Sequence, residues 1–147
     1  MTFLLDVNVV IALIDPMHIF HDAAHVWLSN IGTDTWATCP LTENGALRIA
    51  GHPRYRNSLG TPHAVCQAVS DLCALPGHVF WAADISILDA RWINPDNLLT
   101  CSQITDSYLL ALAIRHGGKL ATFDERLVAN SVRGGRAGLH VIGAERH

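Results

Sequence analysis

No apolar run in the sequence reaches the roughly 18 residues that a membrane-spanning helix needs, so no association with a membrane is expected. Long disorder is also disfavoured: only 16% of residues are charged while 50% are hydrophobic, and disorder requires the reverse balance. Cys39, Cys66, Cys73 and Cys101 contain no CxxC pair, which argues against a structural zinc site or a redox dithiol and leaves buried thiols as the expectation. A basic excess is missing too. With a net charge of -3 and a pI near 6.3, any attraction to phosphate must be local or carried by a metal ion. Gly117-Gly118 and Gly134-Gly135 do not fit the phosphate-binding P-loop pattern, and no G-x-S-x-G elbow is present to support acyl transfer.

What is present suits one compact domain spanning residues 1–147, with enough apolar residues for a real core. The start, Met1-Thr-Phe-Leu-Leu-Asp6, lacks the basic segment of a secretory signal and reads as a core strand of a cytoplasmic protein. A helix follows over Val9–Ile14 and stops at Asp15-Pro16, and Phe20, Ala23, Ala24, Trp27 and Leu28 mark a second at helical spacing. Trp36–Cys39 is a strand, and the segment from Pro40 and Thr42-Glu43 toward Gly51 is a helix. After a loop over Gly51–Gly60, Thr61-Pro62 opens another helix that ends by Pro76-Gly77. Val79–Trp81 is the third strand, and residues 82–103 are irregular. Thr105-Asp106 is expected to cap a helix with its body over Ser107–His116, stopped by Gly117-Gly118. Lys119–Phe123 and Leu139–Ile142 complete five strands, with a short helix expected over Glu125–Asn130. Strands alternating with helices indicate an α/β fold with a mainly parallel sheet, whose ligand crevice lies beyond the carboxyl ends of the strands.

Asp6, Glu43 and Asp124 each follow a strand closely, and Asp106 opens a helix. Taken singly, each has a structural role as a helix-start or turn carboxylate. Taken together, they would repel one another and raise one another's pKa unless a cation compensates. Oxygen-only ligation favours hard ions such as Mg²⁺ or Mn²⁺. Such ions activate water and, as a pair about 3.5–4 Å apart, clamp the attacking and leaving oxygens at phosphorus, so phosphodiester hydrolysis is the implied reaction class. His18, His21 and His25 have a spacing that suits zinc, yet the loop character around Pro16 favours exposed or lightly packed rings. His52-Pro-Arg-Tyr-Arg56 reads as a solvated loop with two guanidiniums and an aromatic able to meet phosphate and an unpaired base. Arg48, Arg115, Arg126, Arg133 and Arg136 are further candidates for the crevice rim or for an acidic partner.

The segments Leu4-Leu-Asp-Val-Asn8, Leu41-Thr-Glu-Asn-Gly45, Ile104-Thr-Asp-Ser-Tyr108 and Ala121-Thr-Phe-Asp-Glu-Arg126 resemble, in order and spacing, the acidic motifs of PIN-domain ribonucleases of the VapC toxin type. The resemblance covers essentially the whole chain. It implies a Rossmann-like three-layer α/β sandwich around a five-stranded sheet, Mg²⁺ or Mn²⁺ as cofactor, and RNA as substrate. A VapB-type antitoxin and a second copy of the chain in a homodimer are the implied partners. By position, Asp6, Glu43 and Asp106 resemble the metal-binding triad and Asp124 the more variable fourth acid. Asn8 and Thr122 match polar positions that support the carboxylates. A PIN nuclease of RNA maturation or of DNA, and a non-catalytic PIN-like module, are the alternatives.

Overall fold

The computed structural model describes residues 1–143; residues 144–147, which the expected domain includes, lie outside the described residues. Strands β1 (Thr2–Leu5), β2 (Thr35–Thr38), β3 (His78–Phe80), β4 (Lys119–Thr122) and β5 (Leu139–Val141) form one sheet in the order β3-β2-β1-β4-β5. Every pairing is parallel. Helices α1 (Val7–Ile14), α2 (His21–Ser29), α3 (Pro40–Ala50), α4 (Pro62–Cys73) and α5 (Ile104–Arg115) supply the crossovers from β1 through β4, while β4 and β5 are joined by turns and a 3₁₀ segment, Gly135–Gly138.

The chain steps outward from β1 to β2 to β3, then returns past β1 to lay down β4 and β5. Because crossovers are right-handed, reversing the direction of travel moves the connecting helix to the opposite face. The packing follows that rule. Leu5, Trp36 and Ala121 point into a core with α1, α2, α3 and α4, while Leu4, Ala37 and Leu120 point into a second core with α5. The sheet is thus the middle of three layers, and strands buried on both faces need the near-continuous apolar runs seen in β1 and β4. Leu4, Leu5 and Leu120 are fully buried, each contributing roughly 1.5–3 kcal/mol by leaving water.

Helix ends account for several polar residues. Pro16 disfavours helical backbone at Asp15, which adopts φ -107° and ψ 103° and ends α1. The carbonyls this leaves are met by histidines: a ring nitrogen of His21 lies 2.7 Å from the Ala12 oxygen and one of His25 lies 2.9 Å from the Leu13 oxygen. These two rings therefore serve α1, a role that sequence spacing alone did not indicate.

Three expectations are corrected. A single 3₁₀ turn, Cys101–Gln103, runs directly into α5, so the helix begins at Ile104 and Asp106 lies inside its first turn instead of flanking it. The expected helix over Glu125–Asn130 is replaced by turns, because Asp124 Oδ1 accepts the Arg126 N–H at 2.9 Å and closes a local turn that competes with helix. Of the expected buried thiols only Cys39 is fully buried; Cys66 and Cys101 are exposed and Cys73 is half-buried.

The end of α5 gives a direct test of the packing. Gly117 has φ +72° with open space where a Cβ would go, whereas a Cβ on Gly118 would stand 2.2 Å from the Thr2 carbonyl oxygen of β1. Gly117→Ala is expected to cost about 1–2 kcal/mol of unfolding free energy through backbone strain alone. Gly118→Ala is expected to cost about 3 kcal/mol or more, because the obstacle is backbone that cannot repack. Urea titrations of the two variants check the ranking.

Candidate active site

The reversal in strand order falls between β1 and β4, so a crevice opens at their carboxyl ends. Asp6 occupies it as the N-cap of α1, with its backbone N–H donating to the Ala121 carbonyl of β4 at 2.9 Å. Its Oδ1 accepts the Val7 N–H at 2.7 Å. Oδ2 accepts the Thr122 hydroxyl at 2.8 Å and lies 3.5 Å from the Asn8 amide nitrogen.

The hydrogens in this network can be assigned. Thr122 gives its only hydroxyl hydrogen to Asp6, and its oxygen accepts from Asn8 Nδ2 at 3.2 Å and from the Asp124 N–H at 3.0 Å. Asn8 Oδ1 accepts the Phe123 N–H at 3.3 Å, which fixes the amide with its nitrogen toward Thr122 and Asp6. Thr122 and Asn8 therefore tie the end of β4 to the start of α1 and hold one carboxylate in a set orientation.

Asp106 from α5 and Asp124 after β4 line the same crevice, which encloses about 590 Å³. Burial, opposed by the Thr122 and Val7 hydrogen bonds and reinforced by the charge of Asp124, pushes the Asp6 carboxyl above its ordinary value. Burial and the charges of Asp6 and Asp124 push the Asp106 carboxyl up to about 6. Among the described residues no lysine, arginine or histidine forms an ion pair with any of these acids. An oxygen-only set of mutually repelling carboxylates without a fixed cation fits a hard divalent ion.

Glu43 stands apart from them. It sits in the first turn of α3, and its Oε2 accepts the Thr38 hydroxyl at 2.8 Å. Thr38 Oγ1 is also 2.8 Å from His78 Nε2, and since the hydroxyl has one hydrogen the chain runs His78 N–H to Thr38 O–H to Glu43. Burial pushes His78 below its ordinary pKa, partly opposed by the Glu43 charge, and burial pushes the neighbouring Cys73 thiol up. Asn44, Gly45 and Arg48 of α3 line a second hollow that shares Asp6 and Asp106, but the Glu43 carboxylate is turned toward His78 and Cys73.

The Gly51–Gly60 loop forms the opposite wall. Asp15 is buried at the end of α1 and accepts from the Tyr55 hydroxyl, from Asn57 Nδ2 at 2.7 Å and from the Met17 N–H at 2.9 Å. Burial works against ionisation of Asp15, yet these hydrogen bonds hold its carboxyl below the ordinary value. The anchorage places Arg56 in the lining of the crevice that also holds Asp6, Asp106 and Asp124. Sequence reading singled out the loop but not its tether, because Asp15 and Tyr55 are 40 residues apart. Of the other arginines, Arg48 lines the second hollow, while Arg133 Nε donates to the Ala90 carbonyl at 2.7 Å and Arg136 lines a separate hollow with Val128 and Leu139.

The raised Asp106 carboxyl sets a pH dependence. A folded-state pKa raised from 3.8 to about 6 contributes stability that is complete below the unfolded value and is lost as the pH rises through about 6. A divalent ion binds the deprotonated form, so the increase in Tm that Mg²⁺ produces is expected to be larger at pH 8 than at pH 5. Asp106→Asn is expected to flatten that difference. Equal increases at both pH values in the wild type would contradict it, and thermal scans with and without Mg²⁺ make the comparison.

Comparison with known proteins places these features in context. The PIN domain family model matches residues 3–132. Ribonuclease VapC44 of Mycobacterium tuberculosis is 39% identical over 138 residues, covering 91% of this chain and 94% of the relative. Ribonuclease VapC39 of the same organism is 37% identical over 134 residues, covering 91% and 96%. Ribonuclease VapC38 is 40% identical over 122 residues, covering 82% and 84%.

Proposed function

The chain belongs to the PIN-domain family, and from that premise we propose that it is an endoribonuclease, dependent on Mg²⁺ or in its place Mn²⁺, that acts as the toxin of a VapBC-type toxin–antitoxin pair. The observation that carries the catalytic part is the convergence of Asp6, Asp106 and Asp124 on one crevice with, among the described residues, no cationic side chain paired to them. The toxin and RNA assignments rest on the ribonuclease names of the relatives.

In this reading Asp6 and Asp106 would hold the ion with Asp124 as a further ligand, and Glu43 would join them only on release from Thr38, whose hydroxyl its carboxylate accepts in this structure. When bound, the ion would supply charge neutralisation at the phosphate and a more nucleophilic water. The protein's own groups do the rest. Thr122 and Asn8 keep Asp6 oriented, which preserves the shape of the carboxylate set when no substrate is present. Arg56 and Arg48 line the hollows on either side of Asp6 and Asp106, where guanidiniums meet the phosphates flanking the cleaved bond. Tyr55 is committed to Asp15, so its ring fixes the loop, leaving Arg56 to make the contact.

The unit proposed to act is one PIN domain spanning residues 1–147 in the cytoplasm, working as a homodimer and silenced by a VapB-type antitoxin. No helix among the described residues is long and apolar enough to cross a membrane. A PIN nuclease of RNA maturation or of DNA would share the crevice and differ in substrate.

Asp6→Asn tests the assignment cleanly, since asparagine caps a helix as well as aspartate does and the fold should survive. Cleavage of RNA by the purified variant in Mg²⁺ is expected to fall at least roughly 100-fold, more than removal of a supporting group costs, with Tm little changed. Undiminished cleavage would refute the metal role. Induction of the wild type should arrest growth while induction of Asp6→Asn should not; growth unaffected by the wild type would favour the maturation nuclease.

A further inference from the structure

We propose that Glu43, Cys73 and His78 form a second cation site, separate from the acid crevice, that takes a borderline-soft divalent ion such as Zn²⁺. The side chains come from three elements, α3, the last residue of α4 and the first residue of β3. Their donor atoms, a carboxylate oxygen, a thiol sulfur and an imidazole nitrogen, all lie within 4.8 Å of one another. They converge on one point, because Thr38 Oγ1 is 2.8 Å from Glu43 Oε2, 2.8 Å from His78 Nε2 and 4.0 Å from Cys73 Sγ.

The donor chemistry selects the ion. Mg²⁺ and Mn²⁺ prefer oxygen, whereas one nitrogen, one sulfur and one carboxylate oxygen suit Zn²⁺ in tetrahedral geometry, with a fourth position left for water or the Thr38 hydroxyl. All three residues are half-buried, so the site is sheltered yet reachable from solvent. Without an ion the group is satisfied by the His78 to Thr38 to Glu43 chain. Binding exchanges that chain for coordination: the Cys73 thiol releases its proton to solvent, and the imidazole proton moves from Nε2 to Nδ1 so that the Nε2 lone pair faces the ion.

Occupation has a consequence for the nuclease. An ion at this site fixes Glu43 on the α4 and β3 side and withholds it from Asp6 and Asp106, so Zn²⁺ inhibits cleavage at a place distinct from the catalytic ion. This consequence rests on the proposed assignment of Glu43 to the catalytic set; the site itself does not.

The test uses the intact metal-free protein in excess Mg²⁺, titrated with Co²⁺ as a spectroscopic stand-in for Zn²⁺. One equivalent is expected to produce a thiolate-to-cobalt charge-transfer band. Cys73→Ser and His78→Gln should lose the band and Asp6→Asn should keep it. Absence of the band in the wild type, or its survival in Cys73→Ser, overturns the site. RNA cleavage in Mg²⁺ is then measured with added Zn²⁺. Inhibition of the wild type at Zn²⁺ levels that spare Cys73→Ser supports the withholding of Glu43. A cobalt band together with equal Zn²⁺ sensitivity of the two proteins leaves the site standing and overturns inhibition through the withholding of Glu43.

Discussion

Like charges held close together in a crevice are the condition around which this molecule is arranged. Asp6 cannot move away from Asp106 and Asp124: its backbone is hydrogen-bonded to β4, its side chain caps α1, and Thr122 holds its other oxygen. The cost shows in the Asp106 carboxyl, pushed up to about 6 by burial and by the two neighbouring charges. Among the described residues no cationic side chain is paired with these carboxylates, an arrangement that suits a divalent ion from solution. The topology supplies the place, since the strand order reverses between β1 and β4 and the acids follow those strands or open the helix that leads into β4.

Much of this was legible in the sequence. The apolar strand runs, the Asp15-Pro16 stop and the Thr61-Pro62 start act locally, and each appears in the fold where local chemistry put it. The family resemblance rested on acidic motifs in order, and the family model match agrees with it. Errors arose where a local signal met a competing one. Asp106 looked like a helix cap, but the turn closed by Gln103 and Thr100 begins the helix earlier. Asp124 looked like the start of a helix, but its side chain closes a turn instead.

The least legible features depend on long-range register. Cys73 and His78 carry no motif, yet the pairing of β2 with β3 sets His78 opposite Trp36, two residues from Thr38, so that its imidazole reaches the Thr38 hydroxyl, and the end of α4 delivers Cys73 to the same point. Glu43 lies between two demands: the family pattern groups it with Asp6 and Asp106, and the structure engages it with Thr38. In the same way the Asp15 tether to Tyr55 and Asn57, which brings Arg56 to the crevice, joins segments that share no sequence signal.

The hydrogen bond from Thr122 fixes one oxygen of Asp6, and the affinity of the crevice for a divalent ion would depend on that orientation. Thr122→Val removes the hydroxyl at nearly constant volume and keeps every carboxylate, releasing Asp6 Oδ2 together with the Asn8 amide and the Asp124 N–H that the hydroxyl oxygen accepts. Mn²⁺ affinity measured by electron paramagnetic resonance on the wild type and this variant reads out that dependence. A loss of about 10–100-fold is expected for Thr122→Val, the usual cost of removing a group that orients a metal ligand. Affinity unchanged from the wild type would contradict it.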